Sequence, residues 1–474
     1  ATGMTLIMEL HELRDVQFSN VTIQDGAVLE FRSYYGNVSD QWEMKVLREG
    51  YVGMLTVEGG GTLLASNLHI TSDIVKVDAA GLLSVSGGGL KDGSGVGSLS
   101  GGAGYGGQGG LGGTSGSQAG GVYGSLYMPD EFGSGGSGAT TTVGTGGGIL
   151  KLDVSQYLIV EGTIESNGNP GSLSIGGGSG GSIWIKTHHL EGSGTIQVQG
   201  GAGGTSSGAG GGGRLAIYYE RSWWWKGKLN AKGGSGSRGY AAAGTIYLED
   251  TLSHGSNLTL IIDNFGQIQP IPSTSEYSLS ARMARGGTTW IHSNLTGEFH
   301  RLKVVGGAHL GLMPYLISPY QFRVFEIIGD ETGVIHVGPY QMIFLQHPVG
   351  TEFHMNIYVY QGGTVILPPS FECYNIEIHV WGTIVLEDIT VGYGCTLYLG
   401  RTGTSKRNGT EGKNGTFFFG ELIVGAEGEI TVTKEVSQLE NKINIEADMM
   451  RVRGGGHVHA VNVSIKASTL IIDD

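Results

Sequence analysis

Ile357-Tyr-Val-Tyr-Gln-Gly-Gly363-Thr-Val-Ile366 is followed by Ile376-Glu-Ile-His-Val-Trp-Gly382-Thr-Ile384, and the two runs share one pattern. A short alternating strand meets a glycine corner and continues as a second alternating strand. Alternation with a period of two puts the Ile and Val side chains on one face. The same unit occurs around Gly26 (Val21 to Phe31), Gly61 (Leu55 to Leu64), Gly81 (Val75 to Val85) and Gly162 (Leu158 to Ile164). It returns around Gly307, Gly333 and Gly428. Corner glycines lie 20 residues apart from Gly61 to Gly81, 26 from Gly307 to Gly333, 30 from Gly333 to Gly363 and 19 from Gly363 to Gly382. Self-similarity on this scale marks a solenoid or a propeller, and a propeller blade needs ~40–45 residues with a repeated signature. The spacing therefore predicts an all-β parallel β-helix, a β-solenoid. Its corner glycines supply positive φ and let the next backbone approach closely.

Composition agrees with that reading and removes others. Glycine fills 89 of 474 positions, against a usual share of about 7%. Collagen would need abundant proline, and there are 10. Nucleic-acid binders carry a basic surplus, whereas this chain has 42 acidic and 28 basic residues and a net charge of −14. Interior glycine costs a helix about 1 kcal/mol per residue, so a helical enzyme is excluded. No run approaches the ~20 apolar residues of a membrane span. The chain starts at Ala1 without a signal-like segment and reads as processed, or as the edge of a fragment.

Four regions are expected: coils over 1–86, a Gly-rich insertion over 87–148, a Gly-rich solenoid over 149–250 and further coils over 251–474. In the insertion, Gly101, Gly104, Gly107, Gly110, Gly113 and Gly116 recur at every third position. Three residues per turn is the period of polyproline II, which glycine also adopts. Ordered threads are expected there, with one glycine row packed inward and Tyr105, Gln108 and Leu111 on another.

Tyr123-Gly-Ser-Leu-Tyr-Met-Pro129, Phe132-Gly-Ser-Gly-Gly136 and Gly176-Gly-Gly-Ser-Gly-Gly-Ser-Ile-Trp-Ile185 come in that order. Gly194 to Gly201, Gly210 to Tyr218 and Gly244 to Leu248 follow. Together, over about Tyr123 to Asp250, these phrases resemble a run found in large glycine-rich secreted β-solenoid surface proteins of eukaryotes. The resemblance implies an extracellular surface protein and carries no catalytic motif.

Seven of sixteen asparagines stand in N-x-Ser/Thr: Asn20, Asn37, Asn257, Asn294, Asn408, Asn414 and Asn462. Chance would give about two or three, so these read as N-glycosylation acceptors of a secreted protein. In Asn20-Val-Thr-Ile23, Asn257-Leu-Thr-Leu260 and Asn462-Val-Ser-Ile465, a strand places the acceptor and its hydroxyl partner on one outer face. Asn408 and Asn414 fall in a polar loop. Cys373 and Cys395, 22 residues or about one coil apart, are expected to stack and form a disulfide. Trp223-Trp224-Trp225 offers a platform for sugars or another subunit, or alternates between core and surface.

Candidate chemistry is sparse. Glu446 and Asp448 share an outer strand face at a spacing of about 6.5–7 Å, with Arg451 and Arg453 nearby. A solvated acidic face competes with a glycosidase pair there. His457 and His459 also share a face, but two ligands do not make a metal site. His188 and His189 should fall on opposite faces. No phosphate loop or cofactor motif is present. The leading expectation is a non-enzymatic structural glycoprotein of an extracellular fibre or coat. It would join end to end with itself or with further domains of the same chain, through the apolar strands around Leu6–Leu10 and Val463–Ile472. The alternative is a polysaccharide-active enzyme or carbohydrate-binding adhesin on the same scaffold. A cleft with clustered carboxylates would favour that alternative.

Overall fold

The computed structural model describes residues 4–10, 15–33, 40–237, 239–253, 257–268, 283, 286–291, 297–312, 320–346, 353–400, 402–407, 410–411, 413–432, 443–459 and 463–473. The protein is nearly all β, 51% strand and 1% helix, in parallel sheets that do not close. It forms two compact units, 1–269 with 284–289, and 270–283 with 290–474.

The first unit has a sheet of seven parallel strands: Thr5–Leu10, Val28–Ser33, Thr62–Leu64, Leu82–Ser84, Thr163–Glu165, Thr195–Gln197 and Lys228–Asn230. Leu63, Leu83, Ile164 and Ile196 stand in one row of that sheet and are fully buried. A second ladder joins Asn67–Val77, Ile149–Val160, Ser182–Gly192 and Arg214–Trp225, again in parallel. Its inner rows repeat the same residue types, as in Leu68–Leu150–Ile183–Leu215–Ile246. The sequence of small apolar residues at alternate positions is thus converted into stacked core columns. The ladder continues to Thr245–Asp250 and reverses into the antiparallel Leu258–Asp263.

The corner glycines correct one expectation. Gly26 and Gly307 carry the expected positive φ, at 72° and 75°, but Gly61, Gly81 and Gly363 do not; the residues before those three do, Gly60 at 82°, Ala80 at 65° and Gly362 at 83°. What the corner positions require is space. A Cβ on Gly61 would lie 2.5 Å from the Ile23 carbonyl oxygen, and one on Gly382 2.3 Å from that of Tyr360. Each corner presses against the turn below it.

The glycine-rich segments are ordered threads linked by backbone hydrogen bonds. Gly176 and Ser179 donate to Ser137 and Ser134, Gly177 and Gly180 to Gly208 and Gly211, and Gly178 and Gly181 to Asn169 and Ser166. The donor direction therefore turns through three neighbouring threads with a period of three. Half of the triplet row read from the sequence takes part: Gly107, Gly110 and Gly113 donate to Gly212, Ala209 and Ser206, whereas Gly101 and Gly104 donate to Ser98 and Gly95. Gly116 leaves the row, in a turn with φ 80°. Tyr105 and Gln108 are buried and Leu111 is half-buried.

The bundle is clamped to the long strands by buried polar groups. Arg214, 2% exposed, donates from Nε to the Tyr123 carbonyl at 2.9 Å and from Nη1 to Thr245 Oγ1 at 3.1 Å. Burial holds its guanidinium below the ordinary arginine value. The Tyr105 hydroxyl meets Ser182 Oγ at 2.6 Å, and burial pushes this phenol up to about 12.

The second unit carries a parallel ladder through His309–Leu312, Val334–Val337, Asn356–Val359, Glu377–Val380, Thr396–Leu399, Glu429–Val432 and His457–His459. Cys373 and Cys395 form a disulfide with Cα atoms 5.7 Å apart, and both are fully buried. They are not stacked partners. The residue opposite Cys373 is Val391, and the bridge instead reaches across the corner at Gly392–Gly394 to the start of the next strand.

Candidate functional site: an acidic groove on the long strands

The long strands of the first unit break their alternation near Ser155. Between Val154 and Tyr157 the register slips, so that Ser155 and Gln156 together face Asp73 on one side and His188 on the other. A bulge of this kind re-aims side chains outward. Ser155, Gln156 and Tyr157 all face solvent to some degree, as do His188 and His189. The two histidines therefore do not separate to opposite faces as alternation predicts; their rings meet edge to face at 4.5 Å. His189 stacks on Tyr157 at 4.6 Å.

Beside this slip lies a groove of about 500 Å³, lined among others by Asp73, Asp153, Ser155, Lys186, His188 and Glu220. Its polar groups are already paired. Asp73 accepts from the Gly53 amide at 2.8 Å and from the Ser155 hydroxyl at 2.7 Å. His188 Nδ1 lies 2.5 Å from Glu220 Oε2. His69, beside the groove, holds Glu43 Oε2 at 2.8 Å and Asp153 Oδ2 at 2.7 Å, one on each ring nitrogen. Lys186 Nζ stands 4.6 Å from the Trp184 ring. These partners come from different strands, His69 and Asp153 being 84 residues apart. The sequence reading passed over them. The available signal was the interrupted alternation in Asp153-Val-Ser-Gln-Tyr157 and Lys186-Thr-His-His189.

The residues singled out from the sequence are dispersed. Asn20 is exposed on its strand, with Thr22 exposed beside it, and accepts the Met54 amide at 3.0 Å through Oδ1. Asn414 is exposed in a turn. Asn257 is half-buried, and its hydroxyl partner Thr259 is buried rather than outward, because this antiparallel strand is covered on both faces at Thr259–Leu260. Asn37, Asn294, Asn408 and Asn462 lie outside the described residues. Trp224 is 65% exposed, Trp225 packs against the core, and the side chain of Trp223 lies outside the described residues. Glu446 and Asp448 share their face, but each is engaged by a cation, Lys466 at 3.8 Å and Arg407 at 2.8 Å. Arg451 pairs with Asp473 instead. His457 and His459 are exposed and stack at 5.6 Å. Among the described residues no group of three or more His, Cys, Asp or Glu is placed to hold a metal ion.

A second cluster, also passed over in the sequence, lies in the other unit. Tyr358, His379 and Tyr398 occupy one row of the ladder and stack at 4.2 and 4.0 Å. His379 Nε2 donates to Glu377 at 3.0 Å, and the Tyr358 hydroxyl donates to the same carboxylate at 3.2 Å. The buried His309 and His336 meet at 3.0 Å, and His336 meets the Tyr360 hydroxyl at 3.0 Å. Searched against protein families, curated proteins and solved structures, the chain matches none of them.

Proposed function

We propose that the chain is a structural β-solenoid, the stiff subunit of an extracellular fibre or cell-surface coat, with its glycine threads in the polyproline II conformation. The observation that carries this is the thread bundle. A chain segment that gives up its conformational freedom to hydrogen-bond in three directions does so at a large entropic cost. The product of that cost is rigidity. The disulfide fits an oxidising compartment, and no helix of the described residues is long and apolar enough to cross a membrane. Exposed Asn20 and Asn414 suit glycan attachment. The strand Val463–Ile472 pairs with Ile443–Val452 and exposes Ile465, Leu470 and Ile472. Such an edge accepts a further strand, from a copy of the chain or from another domain of the same polypeptide.

Electron microscopy of material from the native source, with cross-linking of the junctions, tests the reading. Rods or filaments whose junctions include residues 463–473 support it. Discrete monomers whose own loops cover that strand overturn it.

A further inference from the structure

We propose that the groove across the long strands of the first unit is a binding site for a neutral oligosaccharide. The proposal does not depend on whether copies of the chain join end to end.

Three features of the groove point to that ligand. The first is spacing. Its floor is made of rungs ~4.8 Å apart, close to the length of one hexose unit, so a linear chain laid across them meets a fresh rung at each sugar. The second is the order of donors and acceptors. One outward row runs Thr71, Asp153, Lys186 and Tyr218, and the row beside it runs Asp73, Ser155, His188 and Glu220. Acceptors and donors thus interleave, and a sugar hydroxyl, which both donates and accepts, satisfies either. The third is prior engagement. Each carboxylate is already held by a protein donor, Asp73 by both the Gly53 amide and Ser155, Asp153 by His69 and Glu220 by His188. Each retains further lone pairs for hydroxyl groups. Side chains locked in this way lose little freedom when a ligand arrives.

Other occupants fit less well. Three carboxylates against the single lysine repel an acidic polymer. A calcium ion needs six to eight oxygens, and these carboxylates are spread over separate strands and already engaged by protein partners. Ser155, His188 and Glu220 on successive strands have the residue types of a nucleophile, base and orienting acid. The Ser155 hydroxyl, however, donates to Asp73, so the arrangement serves binding and not acyl transfer. Leu47 and Tyr218 add carbon surface at the groove wall, where the C–H face of a sugar ring can rest.

Calorimetric titration of the full chain with cellohexaose, mannohexaose and laminarihexaose, and with polygalacturonate, tests the proposal. At least one neutral hexasaccharide should bind, and Glu220→Gln and Asp153→Asn should each weaken it about tenfold or more. Asp448→Asn, in the other unit, should leave it unchanged. Since Asp153→Asn also touches His69, the variants are compared by thermal unfolding, and Lys186→Met provides a reading that leaves that contact in place. Absence of binding by all three neutral sugars at millimolar concentration overturns the proposal. So does binding that every groove variant leaves intact, or a preference for polygalacturonate.

Discussion

Residue by residue, the molecule is controlled by what cannot be added and what cannot be charged. A Cβ on Gly178 would stand 1.9 Å from the Thr145 carbonyl oxygen, and one on Gly210 the same distance from that of Gly178. Neither can be relieved by a side-chain rotation, because the obstacle is backbone. Gly178→Ala should therefore destabilise the first unit by ~1–3 kcal/mol in denaturant titration. Gly121→Ala, where nothing lies within 4 Å, should stay within about 0.5 kcal/mol of the parent; equal effects would show that the threads are loose. In the second unit the hydrogen bond from His379 holds the Glu377 carboxyl below its ordinary value of 4.5, while burial holds His379 below its ordinary 6.5. His379 Nδ1 is buried without a partner, so a second proton there would be unsatisfied. Both folded-state values lie below the unfolded ones, so the unfolded chain binds protons first and acid favours it. Stability should begin to fall as the pH drops below 6.5, through His379. It should fall again below 4.5, as the Glu377 contribution is lost. Thermal midpoints across pH 4 to 8 check this, and His379→Gln should remove the upper part of the decline. A profile that the variant leaves unchanged would place the sensitivity elsewhere.

At the level of elements, the ladders derive their strength from columns of like side chains. Ile183 is fully buried between Leu150 and Leu215, and Ile183→Ala should cost ~2–5 kcal/mol. The Cys373–Cys395 bridge closes a loop of 22 residues, worth about 3 kcal/mol. Replacing both cysteines by serine should lower the unfolding midpoint of the second unit, and calorimetry measures by how much. These elements were legible in the sequence because their causes are local. Alternation wrote the strands around Gly61, Gly81, Gly363 and Gly382, and the triplet glycines wrote the row at Gly107, Gly110 and Gly113. The groove was not legible, for a physical reason. Its floor depends on a register slip at Ser155–Gln156, and its pairs join strands far apart in the chain, as Asp73 with Ser155 and His188 with Glu220. The disulfide was legible as a pair but not in its geometry, since the corner at Gly392–Gly394 displaces Cys395 from the stacked position. The role of the corner glycines was half legible. Close approach belongs to Gly61 and Gly81, while the positive φ falls on Gly60 and Ala80.

For the whole molecule, peptide mapping of protein from its native source should find glycans on Asn20 and Asn414, and finding both unmodified would count against a secreted coat protein. The thread bundle also constrains how such a chain can change over generations. A strand tolerates a register change of two residues, because its side chains alternate. A thread whose donors point in three directions in turn tolerates only three. An insertion of one or two residues between Gly176 and Gly181 would rotate each following amide toward the wrong neighbour, whereas three would restore every pairing beyond it. In the gene, the length variation that survives in these segments should come in steps of nine nucleotides.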